Sequence, residues 1–397
     1  MALITDARHL SGPALANALL DCRRRTWALV NDLTPAQWKP PLQRGVNPVA
    51  WELAHLAWFA EFWVLRGPHH RHLDGHAVAL HAPRFAGPDA LLDSSRLAHA
   101  DRWTETLPSR EQLEHMLNQQ LNAVVDALPA GPADSSESHY FHRLALFHED
   151  MHGEAFCWMR MALGYPAPLG MTPPTVPGSR PLTISGGEIS AGCLPGTGGF
   201  AFDNEQPGHR TDLLDFDIDS APVTAGEFAR FTNAGGYDQA LHWPGAAGVW
   251  RSQSGCTHPQ NWRHDAAGSW QVRWFDQWLP LDPKAPAMHI NAFEAEAYCL
   301  WTGRRLPTAL EWEHAAQSSP DFIWGRSVWE WTADAFAPYP GFTPGPYQEY
   351  SAPWFGDHRE LRGGAFATHE RMHNPRYRNF FQPHRSDIFS GFRTAGV

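Results

Sequence analysis

Between Gly164 and Pro181, nine of eighteen residues are glycine or proline. No helix or central strand survives that density, because proline removes a backbone donor and glycine gives up conformational restraint. The stretch divides the chain. Residues 1–165 read as one domain, 166–181 as a linker and 182–397 as a second domain, and at roughly 100–200 residues per domain each side can build its own core.

The first part reads as helices. Apolar positions recur at helical spacing over residues 12–32, and Thr34-Pro35 supplies an N-cap and first-turn pair for a short segment. Asn47-Pro48 repeats that chemistry ahead of a helix running to about Arg66, where Gly67-Pro68 stops it. Ser109 with Gln112 forms a capping box for a third helix to Leu128. The fourth runs from about Ser136 to Leu163 and is closed by Gly164. Four helices with one long connection (67–108) predict a four-helix bundle, and a connection of that length is functional or wraps the partner domain. Beyond the linker come short strand-like runs, Leu182–Ser185, Leu213–Ile218 and Gln271–Trp274. Three capping boxes punctuate them: Thr224 with Glu227, Asn291 with Glu294, Thr308 with Glu311. This half is α+β.

Charge and composition exclude several functions. Lys plus Arg total 31 against 42 Asp plus Glu, with no basic run, which speaks against nucleic-acid binding. The apolar stretch Leu53–Leu65 is broken by His55 and Glu61 and is too short to span a bilayer. No basic-then-apolar leader is visible, so a cytoplasmic address is expected. Five cysteines without C-x-x-C spacing support neither a disulfide framework nor a structural zinc site. The chain also has 19 tryptophans. These fill an irregular core or build an aromatic site for a cation.

His148 and His152 are four apart on the fourth helix and share a face, with Cβ atoms ~5–6 Å apart. His55 lies in the apolar second helix, within Trp51-Glu52-Leu53-Ala54-His55-Leu56-Ala57-Trp58. A bundle that turned these faces inward would bring three imidazoles to one metal ion; otherwise each is a satisfied core histidine. The same stretch, His148-Glu149-Asp150-Met151-His152, matches the H-E-x-x-H pattern of zinc hydrolases, with Glu149 as general base. That reading needs a third ligand downstream, yet no histidine follows His152 until His209. Three imidazoles with open positions suit iron, copper or zinc, and on the iron reading Glu149 is a helix-surface or outer residue.

The whole combination resembles the ergothioneine-type sulfoxide synthases: a DinB-like four-helix bundle followed by a C-type-lectin-like domain of the formylglycine-generating-enzyme kind. The matching stretches include Phe202-Asp203-Asn204-Glu205-Gln206-Pro207, Gly303-Arg304-Arg305-Leu306-Pro307-Thr308, Val328-Trp329-Glu330-Trp331-Thr332, Leu361-Arg362-Gly363-Gly364, Tyr377-Arg378-Asn379-Phe380-Phe381 and Gly391-Phe392-Arg393. The resemblance implies an O2-dependent Fe(II) enzyme with the metal on His55, His148 and His152. It couples a sulfur or selenium donor to C2 of the imidazole of hercynine, the betaine of trimethylated histidine, leaving a sulfoxide or selenoxide. Hercynine contacts are expected from Met151 and Phe147 near the metal and from Trp329, Arg378 and Asn379 in the second domain. Formylglycine-generating chemistry is not implied, because it needs a late cysteine pair and the last cysteine here is Cys299. A pure binding module would hold hercynine without consuming O2.

The resemblance departs from the sulfur enzymes at two places. Phe336 stands where those enzymes place a proton-donating tyrosine, with Tyr339 three residues on as its substitute. The connection Leu91–Trp103 resembles the selenoneine synthase branch, which takes a 1-selenosugar; Ser95, Arg96, His99 and His384 are then the donor-binding candidates. The alternative donors are γ-glutamylcysteine or cysteine, with an arginine clamp from Arg84 or Arg96.

Overall fold

The computed structural model describes residues 6–72, 75–104, 106–129, 139–197 and 199–397. They form two compact units: the chain up to Leu169 with Thr197–Ala201, and Gly170–Gly196 with Phe202–Val397.

The helices of the first unit are α1 (Gly12–Ala28), α2 (Pro35–Trp38), α3 (Val49–Ala60), α4 (Asp89–Leu92), α5 (Arg110–Asp126) and α6 (Tyr140–Leu163). Four of them, α1, α3, α5 and α6, make the bundle; α2 and α4 are single turns. The Thr34 cap and the Ser109 capping box form as expected, Thr34 with an additional reciprocal bond from Gln37, and Gly164 closes α6 at φ 67°. The expected start of α6 at Ser136 lies outside the described residues. α1 stops at Ala28 rather than residue 32, where Arg160 of α6 takes the Leu29 carbonyl and the Asp32 carboxylate, both at 2.8 Å. Asn47 does not cap α3; its Oδ1 accepts from Arg102 Nη1 instead, at 2.8 Å, while its Nδ2 donates to Glu52 at 2.7 Å. α1 packs on α6, and α3 packs on α5 and α6. Leu15, Leu19, Cys22, Leu121, Val124 and Leu146 form one apolar core between α1, α5 and α6.

α3 runs into a π-helical turn, Glu61–Leu65. The polar residue that breaks the apolar run has a structural task there. The Glu61 carboxylate accepts the backbone N–H groups of Phe85 (3.2 Å) and Ala86 (2.7 Å). The long connection is therefore tied to α3 inside the first unit. It carries a hairpin of β1 (His69–Arg71) and β2 (Ala77–Ala79), and Asp89 binds both Arg66 (2.6 Å) and the Trp58 indole (2.7 Å).

In the second unit β3 (Pro181–Ile184) pairs with β6 (Phe216–Asp219), β4 (Gly187–Ala191) with β5 (His209–Leu213), and β7 (Trp262–His264), β8 (Trp270–Trp274) and β9 (Gln277–Pro280) form a meander. The largest sheet has the order β12 (Asn379–Phe381), β11 (Arg359–Gly363), β10 (Trp329–Ala335), β13 (Ser390–Gly391); it is antiparallel except for β10 with β13. Helices α7 (Ala225–Asn233), α8 (Ala246–Ser254), α9 (Ala292–Thr302) and α10 (Ala309–Ser318) surround these sheets. The three expected capping boxes start α7, α9 and α10. From Gly170 onward the proline-rich segment belongs to this unit, fastened by Val176 N to the Lys284 carbonyl (2.9 Å) and Arg180 N to Ser220 Oγ (3.0 Å).

The sequence stretches that carry the resemblance in this half are largely its internal struts. Glu330 on β10 accepts from Trp312 Nε1 (2.9 Å) and from Arg393 Nη2 (2.8 Å), all fully buried. Glu360 on β11 pairs with Arg362 (2.7 Å) and Arg378 (2.7 Å), and Arg362 also meets Glu313 at 3.0 Å. Charges buried this deeply persist only when paired, so these residue types are required by the fold.

Candidate metal centre

His55 on α3 and His148 and His152 on α6 offer three ring nitrogens that all lie within 4.8 Å of one another. The helices explain this. His148 and His152 are one turn apart, and α3 packs on α6 at the level of His55. Aromatic side chains on α3 fix the ring planes. His55 is stacked on Trp51 (5.0 Å, 8°) and on Trp58 (5.6 Å, 25°), and Phe59 lies flat on His148 (3.5 Å, 2°).

The outward nitrogens are also fixed. His55 Nδ1 is 2.7 Å from the Leu92 carbonyl, which can only accept, so Nδ1 carries the proton and Nε2 presents its lone pair. His152 Nδ1 is 2.5 Å from Glu52 Oε1 and donates to it by the same logic. Burial opposes ionisation of Glu52, but the attraction of His152, His55 and Arg102 outweighs it and holds the carboxyl at about 2. Burial, with the neighbouring imidazoles, pushes His55 down to about 3 and His148 well below its ordinary range. Neutral imidazoles are what a metal requires of its ligands.

The residues fit an ion. His148 Nε2 and His152 Nε2 are 3.2 Å apart. Two nitrogens ~2.1 Å from one ion at angles of 90–109° stand about 3.0–3.4 Å apart. His152 Nε2 is already a bare lone pair, so the pair is explained by a shared proton or a shared cation. With three protein ligands, coordination positions stay open for small molecules. His55 and His148 are buried, while the His152 side chain is 21% exposed and marks the accessible edge.

Glu149 is neither a general base nor a helix-surface residue. It is 5% exposed and is held by Arg23 (2.7 and 3.0 Å) and Thr26 Oγ1 (2.9 Å) of α1. Adjacent positions on a helix differ by ~100°, so the residue after His148 faces α1 while the histidines face α3. Among the described residues the three histidines are the metal-competent group.

Two family models match the chain: the DinB superfamily over residues 18–156 and the sulfatase-modifying factor enzyme 1-like domain over 169–328 and 324–396. The chain is 31% identical to the hercynine oxygenase of Mycolicibacterium thermoresistibile over 436 aligned residues, covering 96% of this chain and 94% of that protein. Identity to the hercynine oxygenase of Mycolicibacterium smegmatis is also 31%, covering 96% and 98%. The chain belongs to the hercynine oxygenase family. Its two units correspond to an N-terminal DinB-like helical domain and a C-terminal domain of the formylglycine-generating-enzyme type, and it is an oxidative enzyme. Likeness to the formylglycine-generating enzyme of Streptomyces coelicolor, 26% identity, covers 55% of this chain and 90% of that protein. No helix among the described residues is long and apolar enough to cross a membrane.

Family membership gives the other expected residues a frame, and several take structural positions. Trp329 is 2% exposed in β10, against Tyr377 (5.5 Å). Phe336 is fully buried, stacked on Phe380 (4.1 Å, 13°) and beside Phe355 (4.8 Å). Arg378 is 2% exposed, bonded to Glu360 and to the carbonyls of Asn204 and Ala337, so it braces the sheet instead of offering a free carboxylate site. Tyr339 receives a hydrogen bond from Arg362 Nη2 (3.1 Å). Asn379 begins β12 and is half-buried; His384 is half-buried in the following turn. In the first unit Phe147 is 2% exposed and packs on Phe200 (5.1 Å), while Met151, one turn on, is half-buried. In the connection, Ser95 Oγ donates to Asp93 (2.6 Å), Arg96 pairs with Asp93 (3.2 Å) and His99 Nε2 lies 2.7 Å from the Val46 carbonyl.

Sequence reasoning missed Glu52 and the Leu92 carbonyl, which bond the outward nitrogens of His152 and His55. The i,i+4 spacing of Trp51, His55 and Phe59 signalled the aromatic packing, whereas Glu52 bonds His152, 100 residues away, and left no local signal.

Proposed function

We propose that the protein is an O2-dependent non-haem iron enzyme that joins a chalcogen donor to C2 of the hercynine imidazole, and that its donor is a 1-selenosugar. The observation that carries the reaction class is the three-imidazole cluster, with the Nδ1 atoms of His55 and His152 turned to acceptors. The relatives, hercynine oxygenases, support the substrate and the use of oxygen. Fe(II) on His55, His148 and His152 supplies electrons for O2 chemistry and coordination positions for a soft donor. The chain's own groups aim the ligands, hold His55 and His148 neutral, and admit substrate at the His152 edge.

The reaction balances without a further reductant. A C2–H bond and an Se–H bond are broken, and a C–Se bond forms. The selenium is oxidised to the selenoxide, and the four electrons reduce O2 to the selenoxide oxygen and one water. Met151, Phe147, Trp329 and Asn379 are the candidates for hercynine contact. Tyr339 is the candidate proton donor, since Phe336 has no hydroxyl.

The donor assignment rests on charge. Arg96 is neutralised by Asp93, and Arg102 is engaged with Asn47 and Trp51. Of the two clamp candidates Arg96 is thus committed to Asp93 and Arg84 lies over the Phe85 ring, whereas a neutral sugar needs only hydroxyl partners such as Ser95, His99 and His384. A second reading, a thiol donor, is favoured by similarity to the Schizosaccharomyces pombe ergothioneine biosynthesis protein 1, 25% identical over 46% of this chain and 26% of that protein. The test is reconstitution with Fe(II), hercynine and O2, offering selenosugar, thiosugar, cysteine and γ-glutamylcysteine in turn. The selenosugar is expected to give the highest kcat/KM, with a KM insensitive to salt. A higher value for γ-glutamylcysteine, with marked salt sensitivity, replaces the selenium reading with the sulfur one.

A further inference from the structure

Arg102 lies in the short 3-10 segment His99–Trp103 of the long connection and touches two of the three ligands indirectly. Its guanidinium sits 4.1 Å from the ring centroid of Trp51, the ring that is stacked on His55. Its Nη1 donates to Asn47 Oδ1 at 2.8 Å. Asn47 Nδ2 donates to Glu52 Oε2 at 2.7 Å, and Glu52 Oε1 accepts from His152 Nδ1 at 2.5 Å. Two separate routes therefore run from one cation to the metal centre. One ends on the plane of His55 and the other on the aim of His152.

The chemistry of the intermediates makes this more than proximity. Glu52 is 1% exposed, and a buried carboxylate needs compensating charge and hydrogen bonds. Arg102 supplies the charge, and Asn47 relays it as an oriented amide. A planar guanidinium can lie on an indole face while its in-plane N–H groups donate outward, which an ammonium does not do. We infer that Arg102 is a positioning residue of the metal centre, holding His152 through Asn47 and Glu52 and His55 through Trp51. The inference rests on the three-histidine reading. It gives the long connection a role as a brace for the metal ligands, apart from any contact with the donor.

The test uses the full chain, metal-free, titrated with Co(II) alone under competition from a chelator, with the visible d–d spectrum as a second readout. Outer partners of metal ligands typically change affinity by ~10–100-fold. Arg102→Met is expected to weaken Co(II) binding by about that factor and to shift the d–d bands, and Asn47→Ala to do the same through the His152 route only. Arg102→Lys is expected to recover part of the affinity, because it restores charge without the planar stack. A merely structural role would lower the melting temperature of the metal-free protein and leave affinity and bands unchanged per folded molecule. If the wild type binds no Co(II), the metal reading itself fails. If the wild type binds and Arg102→Met matches it in both readouts, this inference is overturned. Should Arg102→Met fail to fold, unchanged affinity and bands in both Arg102→Lys and Asn47→Ala overturn it equally.

Discussion

Replacing Glu149 separates the fold's use of the H-E-x-x-H stretch from a hydrolase's use of it. The carboxylate accepts two hydrogen bonds from Arg23, at 2.7 and 3.0 Å, and one from Thr26 at 2.9 Å. Arg23 in turn donates to the Leu117 carbonyl (2.7 Å) and to Gln120 (3.2 Å), so this pair ties α1 to α5 and α6. Glu149→Ala leaves a buried guanidinium without its anion, which costs about 3–5 kcal/mol. Glu149→Gln keeps the shape but turns one acceptor into a donor facing Arg23 or Thr26, and costs about 1.5–3 kcal/mol. At about 2–4 °C per kcal/mol, the alanine variant should melt roughly 6–20 °C lower. Arg23→Met with Glu149→Leu removes both charges and should recover much of the loss. Urea melts give the stability, and turnover per bound metal is measured well below the melting point. Both single variants should keep near-wild-type turnover per bound metal. A fall in kcat of about 10²–10⁴ with unchanged stability would mark Glu149 as a general base and refute the reasoning.

Alanine at His55, His148 or His152 should each abolish tight metal binding; full metal content in any one of them, by elemental analysis, removes that residue from the ligand set. Tyr339→Phe should lower kcat by about 10²-fold with hercynine KM unchanged, and an unchanged kcat assigns the hydroxyl to the Arg362 contact alone. Burial holds His142, His289 and His373 down at about 4, against 6.5 for an ordinary histidine. Below 6.5 the unfolded chain then binds more protons at these sites, so stability falls as the pH drops from 6.5 towards 4. Glu294, raised by burial to about 7, has the opposite sign between 4.5 and 7, by one proton against three. The urea midpoint should be lower at pH 5 than at pH 7; a higher midpoint at pH 5 contradicts the sign.

Local chemistry was legible in the sequence where one segment contains all its partners. Capping boxes at Thr34, Ser109, Thr224, Asn291 and Thr308 need only residues three apart, and each one forms. The His148 and His152 pair is likewise a property of one helix. Asn47 resembles a cap by the same logic and is not one, because its side-chain oxygen, the atom that would accept from the helix, is taken by Arg102 Nη1 from 55 residues away. Arg102 and the Leu92 carbonyl were invisible because their partners lie 55 and 37 residues away. Arg378 as a carboxylate site fails for a related reason. An arginine beside aromatics suits an anion site or a buried strut equally well in sequence, and only Glu360 on the neighbouring strand distinguishes them. The tryptophan excess divides in the same way. Trp51 and Trp58 clamp His55, whereas Trp312, Trp329 and Trp331 fill the second core.

Oxygen stoichiometry tests the central claim most directly. Metal-free protein is loaded anaerobically with Fe(II), hercynine and donor are added, and O2 uptake is followed against coupled product. The account predicts one O2 consumed per C–chalcogen bond formed, with no added reductant, and no turnover in His148→Ala. Product formed with zinc in the site and without O2, or O2 consumed without coupled product, would contradict it.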